Sequence, residues 1–370
     1  MGVEEFYPEQ GRRAPVMPQQ TSAYCVATRH VGSQFPRMNI TSVALATAGL
    51  ALTASLGAQQ LPDRAFHPSL VRPAYALLAG PRLCLDEGHH NFHTLDDRFW
   101  AFGELARRDG YRVAPLRLTF SAQSLEECDL LVISNAQPSN RPWSEYPLPT
   151  PSAFAAAEIT AVKSWIDSGG RLLLIADHMP LAGAAASLAA AFGASFTNGF
   201  AYPGATDAQI EAVRGGGSSA PTLFRPDSGT LPPHPIRDGR TAAEQVTQVR
   251  SFTGQAFRWD APGAMPVMIL PADYVSLEPK IAWQFKPDTP VRKVGGWLQG
   301  ATRRVGRGRV ALFGEAAMFS AQIAGAERRP MGMNAPMAEQ NAQFTLNVLH
   351  WLTGAIEPER RRVSSSPSHD

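Results

Sequence analysis

The chain is poor in cysteine, with 3 in 370 residues, which excludes a disulfide-dense scaffold. It also lacks an excess of one charge: 34 Lys and Arg stand against 32 Asp and Glu, and the basic residues are scattered or confined to short runs such as Arg303-Arg304 and Arg360-Arg361-Arg362. Without a basic stripe to track phosphates, nucleic acid is not an expected partner. No Gly-x-Ser-x-Gly elbow occurs, so a conventional serine hydrolase has no support. The apolar run within residues 38–58 is short for a membrane span, which needs about 20 apolar residues, so no stable span is expected once that segment is cleaved.

What is present begins with a globular composition, 44% hydrophobic, ample for a core and incompatible with disorder of the whole chain. The stretch from Met38 to Ala58 is apolar, uncharged and preceded by Arg37, the layout of a secretory signal peptide with cleavage after Ala58. The alternative is a buried Ala-rich helix. An export signal there implies that the chain starts at Met38, or that residues 1–37 are an unstructured extension, and it directs the protein to the periplasm or the exterior. Removing residues 1–58 takes away four basic and three acidic residues, so the remainder is nearly neutral. Cys84 and Cys128 then remain, in or beside apolar strands. This fits small buried residues better than a disulfide framework, with a single bridge in an oxidising compartment as the alternative.

Residues 59–80 read as a Pro-containing linker, 81–354 as one α/β domain with an insertion at about 200–240, and 355–370 as a disordered tail. Within the domain, apolar runs at 81–85, 111–118, 129–134, 171–176 and 309–313 predict strands. Helical periodicity marks 93–108, 152–168, 181–192 and 338–352. The alternation predicts a doubly wound, mostly parallel sheet flanked by helices, of the flavodoxin-like kind. Residues 200–235, rich in Gly, Pro and Ser, read as an insertion or cover. Short β-like runs at 246–252, 267–270, 281–285 and 295–298 are expected to extend the sheet or pack on its edge.

Ligands of open parallel sheets bind beyond the carboxyl ends of the strands. That rule selects Asp86-Glu87-Gly88-His89-His90-Asn91-Phe92-His93, Asn135-Ala136-Gln137, Asp177-His178-Met179-Pro180 and the segment starting Gly314-Glu315. Glu87, Asp177, His178 and Glu315 are the catalytic candidates, and Asn91, Asn135 and Gln137 the substrate-binding ones. Asp86, His89, His90 and His93 are candidate ligands for a divalent metal such as zinc, since His89/His93 and His90/His93 have helical i, i+4 and i, i+3 spacings. In a metal-assisted hydrolase or isomerase the ion would activate water, with Glu87 or Glu315 as general base. The competing reading is structural: Asp86 and Asp177 cap helices, His178 satisfies loop carbonyls and Glu315 pins a loop. Trp100, Trp165, Trp283 and Trp351 read as core, and His234 as a loop residue rather than a cover reaching the cleft.

Ser168-Gly169-Gly170 through Asp177-His178 resembles the strand-to-turn segment of the trehalose-utilisation family, within the class I glutamine-amidotransferase-like superfamily. Gly306 through Glu315, with Asn341, Phe344, Asn347 and Trp351 downstream, is similar to uncharacterised transport-associated members. The resemblance spans about 81–354 and implies an amidotransferase-like sheet and a small polar, carbohydrate-like ligand. It departs where chemistry matters most: the elbow reads Ala176-Asp177-His178-Met179, without the Cys that glutamine amide hydrolysis requires. The expectation is therefore an exported hydrolase or isomerase acting on a small polar molecule. The alternative is a non-catalytic binding or scaffold domain of the cell envelope.

Overall fold

Five apolar runs without polar alternation become the centre of the molecule, as expected for strands that must be covered on both faces. The computed structural model describes residues 60–215 and 221–356, which lie in one compact unit. The strands are β2 (Arg82–Asp86), β3 (Arg112–Leu116), β4 (Leu130–Ser134), β5 (Arg171–Ile175) and β15 (Gly308–Phe313). They run parallel in the spatial order β3-β2-β4-β5-β15. Side chains alternate between faces with period two. Leu83, Leu85, Leu173 and Ile175 meet Phe102 of α1 (Trp100–Arg108) and Phe344 and Val348 of α7 (Asn341–Thr353). Cys84, Leu131, Leu172 and Leu174 meet Val162 and Ile166 of α3 (Ala156–Asp167) and Leu188 of α4 (Leu181–Ala190).

Beyond β15 the sheet changes direction. β14 (Leu298–Val305) pairs antiparallel with β15 and carries β10 (Phe257–Trp259), which carries β6 (Ala194–Phe196), while β11 (Met265–Ile269) also pairs with β14. The expectation of a mostly parallel sheet is thus corrected. Four pairings of this nine-stranded sheet are parallel and four antiparallel, and three smaller sheets are antiparallel throughout. The change of direction is set where β14 meets β15: only Gly306 and Arg307 join them, a connection too short for a crossover, so the two strands pair in antiparallel fashion.

Other boundaries shift for local reasons. Residues 60–80 are no free linker: β1 (Gln60–Pro62) pairs with β16 (Ala321–Ala324), and β17 (Arg329–Gly332) completes that sheet. The helix expected from 93 begins at Trp100, because Thr94 to Phe99 form turns. The insertion is built rather than loose: β7 (Phe200–Pro203) pairs with β12 (Tyr274–Leu277), and α5 (Asp207–Arg214) follows it. Ile281–Phe285 is not a strand, since Trp283 takes a positive φ of 66° and breaks the extended run. The signal-peptide and extension readings of 1–58 lie outside the described residues, as does the tail from 357. Among the described residues no helix is long and apolar enough to cross a membrane.

Buried polar groups lock α7, the most enclosed helix. Asn347 donates to the carbonyls of Ile236 and Glu244, both at 2.8 Å, and His350 meets buried Asp109 at 2.6 Å. His234 is a core residue: its Nδ1 accepts from the Ile236 N–H and its Nε2 bonds Thr302 Oγ1 at 2.8 Å. Trp351 is buried as expected, whereas Trp283 is 48% exposed.

Cys84 and Cys128 form a disulfide, correcting the reading of two separate apolar thiols. The bridge ties the middle of β2 to the entry of β4 across a sequence separation of 44, a loop whose closure entropy is worth about 4 kcal/mol. Cys84→Ser is expected to lower the unfolding free energy by about 2–4 kcal/mol in denaturant titrations, and reductant to do the same to the wild type. Burial holds the His234 imidazole down at about 4, against about 6.5 in an unfolded chain. Between those values the unfolded chain binds a proton that the folded one refuses, so stability falls as pH drops, by at most about 3 kcal/mol. His234→Gln should flatten that slope in urea unfolding measured from pH 7 to pH 4.

Candidate functional site

The turn after β4 is set by the residue that enters it. Asn135 follows β4 with φ 50°, a left-handed conformation that Asn tolerates. Its N–H donates to Ile175 O at 3.0 Å and its Oδ1 accepts from the Asp177 N–H at 2.9 Å, so one residue joins the ends of β4 and β5. Asp177 accepts from the His178 N–H through Oδ1 at 2.8 Å. His178 Nδ1 lies 2.8 Å from Met179 O. A carbonyl only accepts, so Nδ1 carries a proton, and in the neutral ring Nε2 keeps a lone pair. The ring stacks on Phe200 of the insertion, centroids 4.5 Å apart, and meets Trp143 and Trp283 edge to face.

These strand ends open onto a cleft of about 900 Å³. Of the residues expected at the site, His93, Asn135, Asp177, His178 and Glu315 line it. Glu315, 1% exposed, follows β15 and accepts from the N–H groups of Ala317 at 2.7 Å and Met318 at 2.9 Å. Burial lifts its carboxyl well above the usual range, the negative charge of Asp177 adds to this, and the N–H groups of Met318, Ala317 and Ala316 oppose it. His93 is held well below its ordinary value by burial and then by Arg98. Its Nδ1 meets Ser134 Oγ at 2.9 Å and its ring stacks on Phe99. The cleft thus offers a carboxyl that holds its proton more tightly than a free one, an imidazole that resists protonation and a second imidazole with a directed lone pair, the parts of general acid–base chemistry.

The other candidates are engaged elsewhere. His89 lies between two carboxylates, Nδ1 at 2.8 Å from Asp86 and Nε2 at 2.8 Å from Glu158. Burial pulls its pKa down, but the hydrogen bond and charge of Asp86, then of Glu158, outweigh it and the net direction is up. Asp86 also accepts from the Gly88 N–H and from Asn91 Nδ2, which makes Asn91 a loop brace. Glu87 accepts from the Leu95 N–H and pairs with Arg117 at 3.0 Å. Gln137 bridges His90 O and Trp143 Nε1. His90 itself is exposed, at φ 48°.

The metal set expected from Asp86, His89, His90 and His93 is therefore not assembled. Among the described residues no three His, Cys, Asp or Glu side chains are grouped to hold an ion. The helical spacing fails because residues 89–93 are not helical. No described cysteine is a free thiol either, since Cys84 and Cys128 bond each other.

Sequence reading missed Trp143, Arg141, Thr253, Gln322 and the exposed Trp283 as lining residues. Trp143 had one signal, an aromatic within a Pro- and Ser-rich loop after β4. Gln322 and Thr253 had none, since β16 and the loop before β10 reach the cleft only through tertiary pairing.

No protein-family model matches the chain, and no curated protein matches it. Similar solved structures include the mmIFT52 N-terminal domain, at 14% identity over 73% of this chain and 97% of that one, TM-score 0.49. A ThuA-like protein from Bacteroides uniformis is similar at 9% identity over 77% and 94% of the two chains, TM-score 0.38. A GMP synthase subunit from Thermoplasma acidophilum is similar at 10% identity over 75% and 96%, TM-score 0.35.

Removing one partner of a buried charge set typically costs about 3–5 kcal/mol. His89→Leu, which leaves Asp86 and Glu158 facing each other, is expected to lose that much in chemical denaturation. The exposed His90→Asn should stay within about 0.5 kcal/mol of wild type.

Proposed function

We propose that this is an exported protein whose cleft binds and hydrolyses a small polar, carbohydrate-like molecule by general acid–base catalysis. The observation that carries the reading is Glu315: a carboxyl 1% exposed, raised by burial and by Asp177, and on the wall of an open cleft. A carboxyl whose proton is held more tightly than in water is suited to deliver it to a leaving oxygen. His178 Nε2, left with its lone pair by the Nδ1 bond to Met179 O, takes the proton of the attacking water, and Asp177 steadies the positive charge that develops. His93, a neutral ring on the same wall, orients the substrate by hydrogen bonding.

The parallel strand order β3-β2-β4-β5-β15 is, numbered along the chain, the order 2-1-3-4-5 of flavodoxin-like sheets. It supports the finer reading of a class I glutamine-amidotransferase-like sheet whose elbow Cys is replaced by Asp177-His178. Export is supported by the uncharged 38–58 run and by the Cys84–Cys128 disulfide, a bond typical of oxidising compartments. A second reading, a non-catalytic binding domain of the envelope, is favoured by the N–H groups that Glu315 already holds.

The test is turnover of a panel of nitrophenyl glycosides and esters by the purified protein. Wild-type activity is expected to fall as pH rises past the Glu315 pKa, because the acid form is the one required. Glu315→Gln should reduce kcat by about 10²–10⁴ and abolish that alkaline limb. Wild-type kcat in Glu315→Gln would remove its role, and binding without turnover by any substrate would leave the second reading.

A further inference from the structure

Two features of the cleft remain unanswered by the protein itself. The first is charge. Among the described residues Asp177 has no ion-pair partner, and Arg141, which also lines the cleft, stands exposed on the rim and makes no ion pair with it. The second is hydrogen bonding. Gln322, 0% exposed and on the cleft wall, donates through Nε2 to Ser320 Oγ at 2.7 Å, and Ser320 Oγ in turn donates to Ala317 O at 2.9 Å. That relay fixes which way the amide points, and it leaves Gln322 Oε1 buried without a partner.

An acceptor left unpaired in a buried site is unfavourable until a donor arrives. His178 Nε2 is a further acceptor, so Asp177, Gln322 Oε1 and His178 together present acceptors to a donor-bearing, positively charged group. Trp283, 48% exposed on the same wall, adds an aromatic surface of the kind that attracts cations. A neutral polyol would meet the acceptors but not the charge. A metal ion would meet the charge, but no three described His, Cys, Asp or Glu side chains are grouped to hold it.

We propose that the ligand of this cleft carries a protonated amine, its charge answered by Asp177 and its N–H donors by Gln322 Oε1, with Trp283 against its body. This narrows, and rests on, the reading of a cleft for a small polar molecule. Gln322 is then the residue that sets specificity for a donor-bearing ligand.

The experiment is NMR titration of the full chain with matched pairs that differ in an amine against a hydroxyl: D-glucosamine with D-glucose, and ethanolamine with ethylene glycol. The amine of each pair is expected to bind at least tenfold more tightly and to shift the Trp283 indole resonance. Gln322→Met should weaken amine binding about tenfold. Trp283→Ala, which removes a ring packed on His178, Phe200 and Phe285, should weaken it several-fold, with the dispersed NMR spectrum of the variant showing that the fold is retained. Equal or weaker binding of the amines overturns the inference, as does absence of binding by any of the four. The underlying reading fails separately, when no polar substrate is turned over.

Discussion

The end of the first central strand is held by one buried histidine with a carboxylate on each ring nitrogen. Because carboxylates accept and His89 must donate to both Asp86 and Glu158, the ring is held as a cation, and a negative pair that could not otherwise be buried becomes a brace. Glu158 extends the brace, accepting from the Phe120 N–H at 2.9 Å and the Ala155 N–H at 2.9 Å at the start of α3. Three segments far apart in sequence are thus fixed to one point. Phe120 and Phe154 pack against the imidazole, centroids 4.4 and 4.9 Å away, and keep water from weakening it.

The other half of the rim is held differently. Asn135 links β4 to Asp177, and Glu315 gathers the N–H groups after β15, so the cleft residues are held by backbone bonds rather than by counter-ions. Carboxyl groups held in this way keep their position; burial, and then the charge of Asp177, lifts Glu315 against the opposing effect of those N–H groups. The rim therefore divides its acids: Asp86 and Glu158 share His89, while Asp177 and Glu315 line the cleft, Glu315 buried on its wall.

How far the sequence could be read depended on whether a property was local. The runs Leu130–Ser134 and Arg171–Ile175, apolar at every position but the last or first, could hardly be anything but covered parallel strands. The rim rule then led to Asp177, His178 and Glu315 without a single contact being known. The metal reading of His89, His90 and His93 failed for a corresponding reason: it assumed a helix over residues 89–93, and the segment turns instead. The partner that claims His89 is Glu158, 69 residues away, and no spacing could announce it.

By itself the sequence determined the alternation of buried strands and helices, the four polar segments that end those strands, and the absence of a thiol at the elbow. These follow from periodicity and residue type, which act over a few residues. Only the tertiary structure decided which acids are paired and which are not, that Cys84 and Cys128 lie within bonding reach, that Trp283 stands in the open, and that Gln322 brings an unpartnered oxygen to the cleft. Those are matters of burial and of partners distant in sequence, and a side chain's charge and hydrogen bonds take their meaning from what the fold sets beside it.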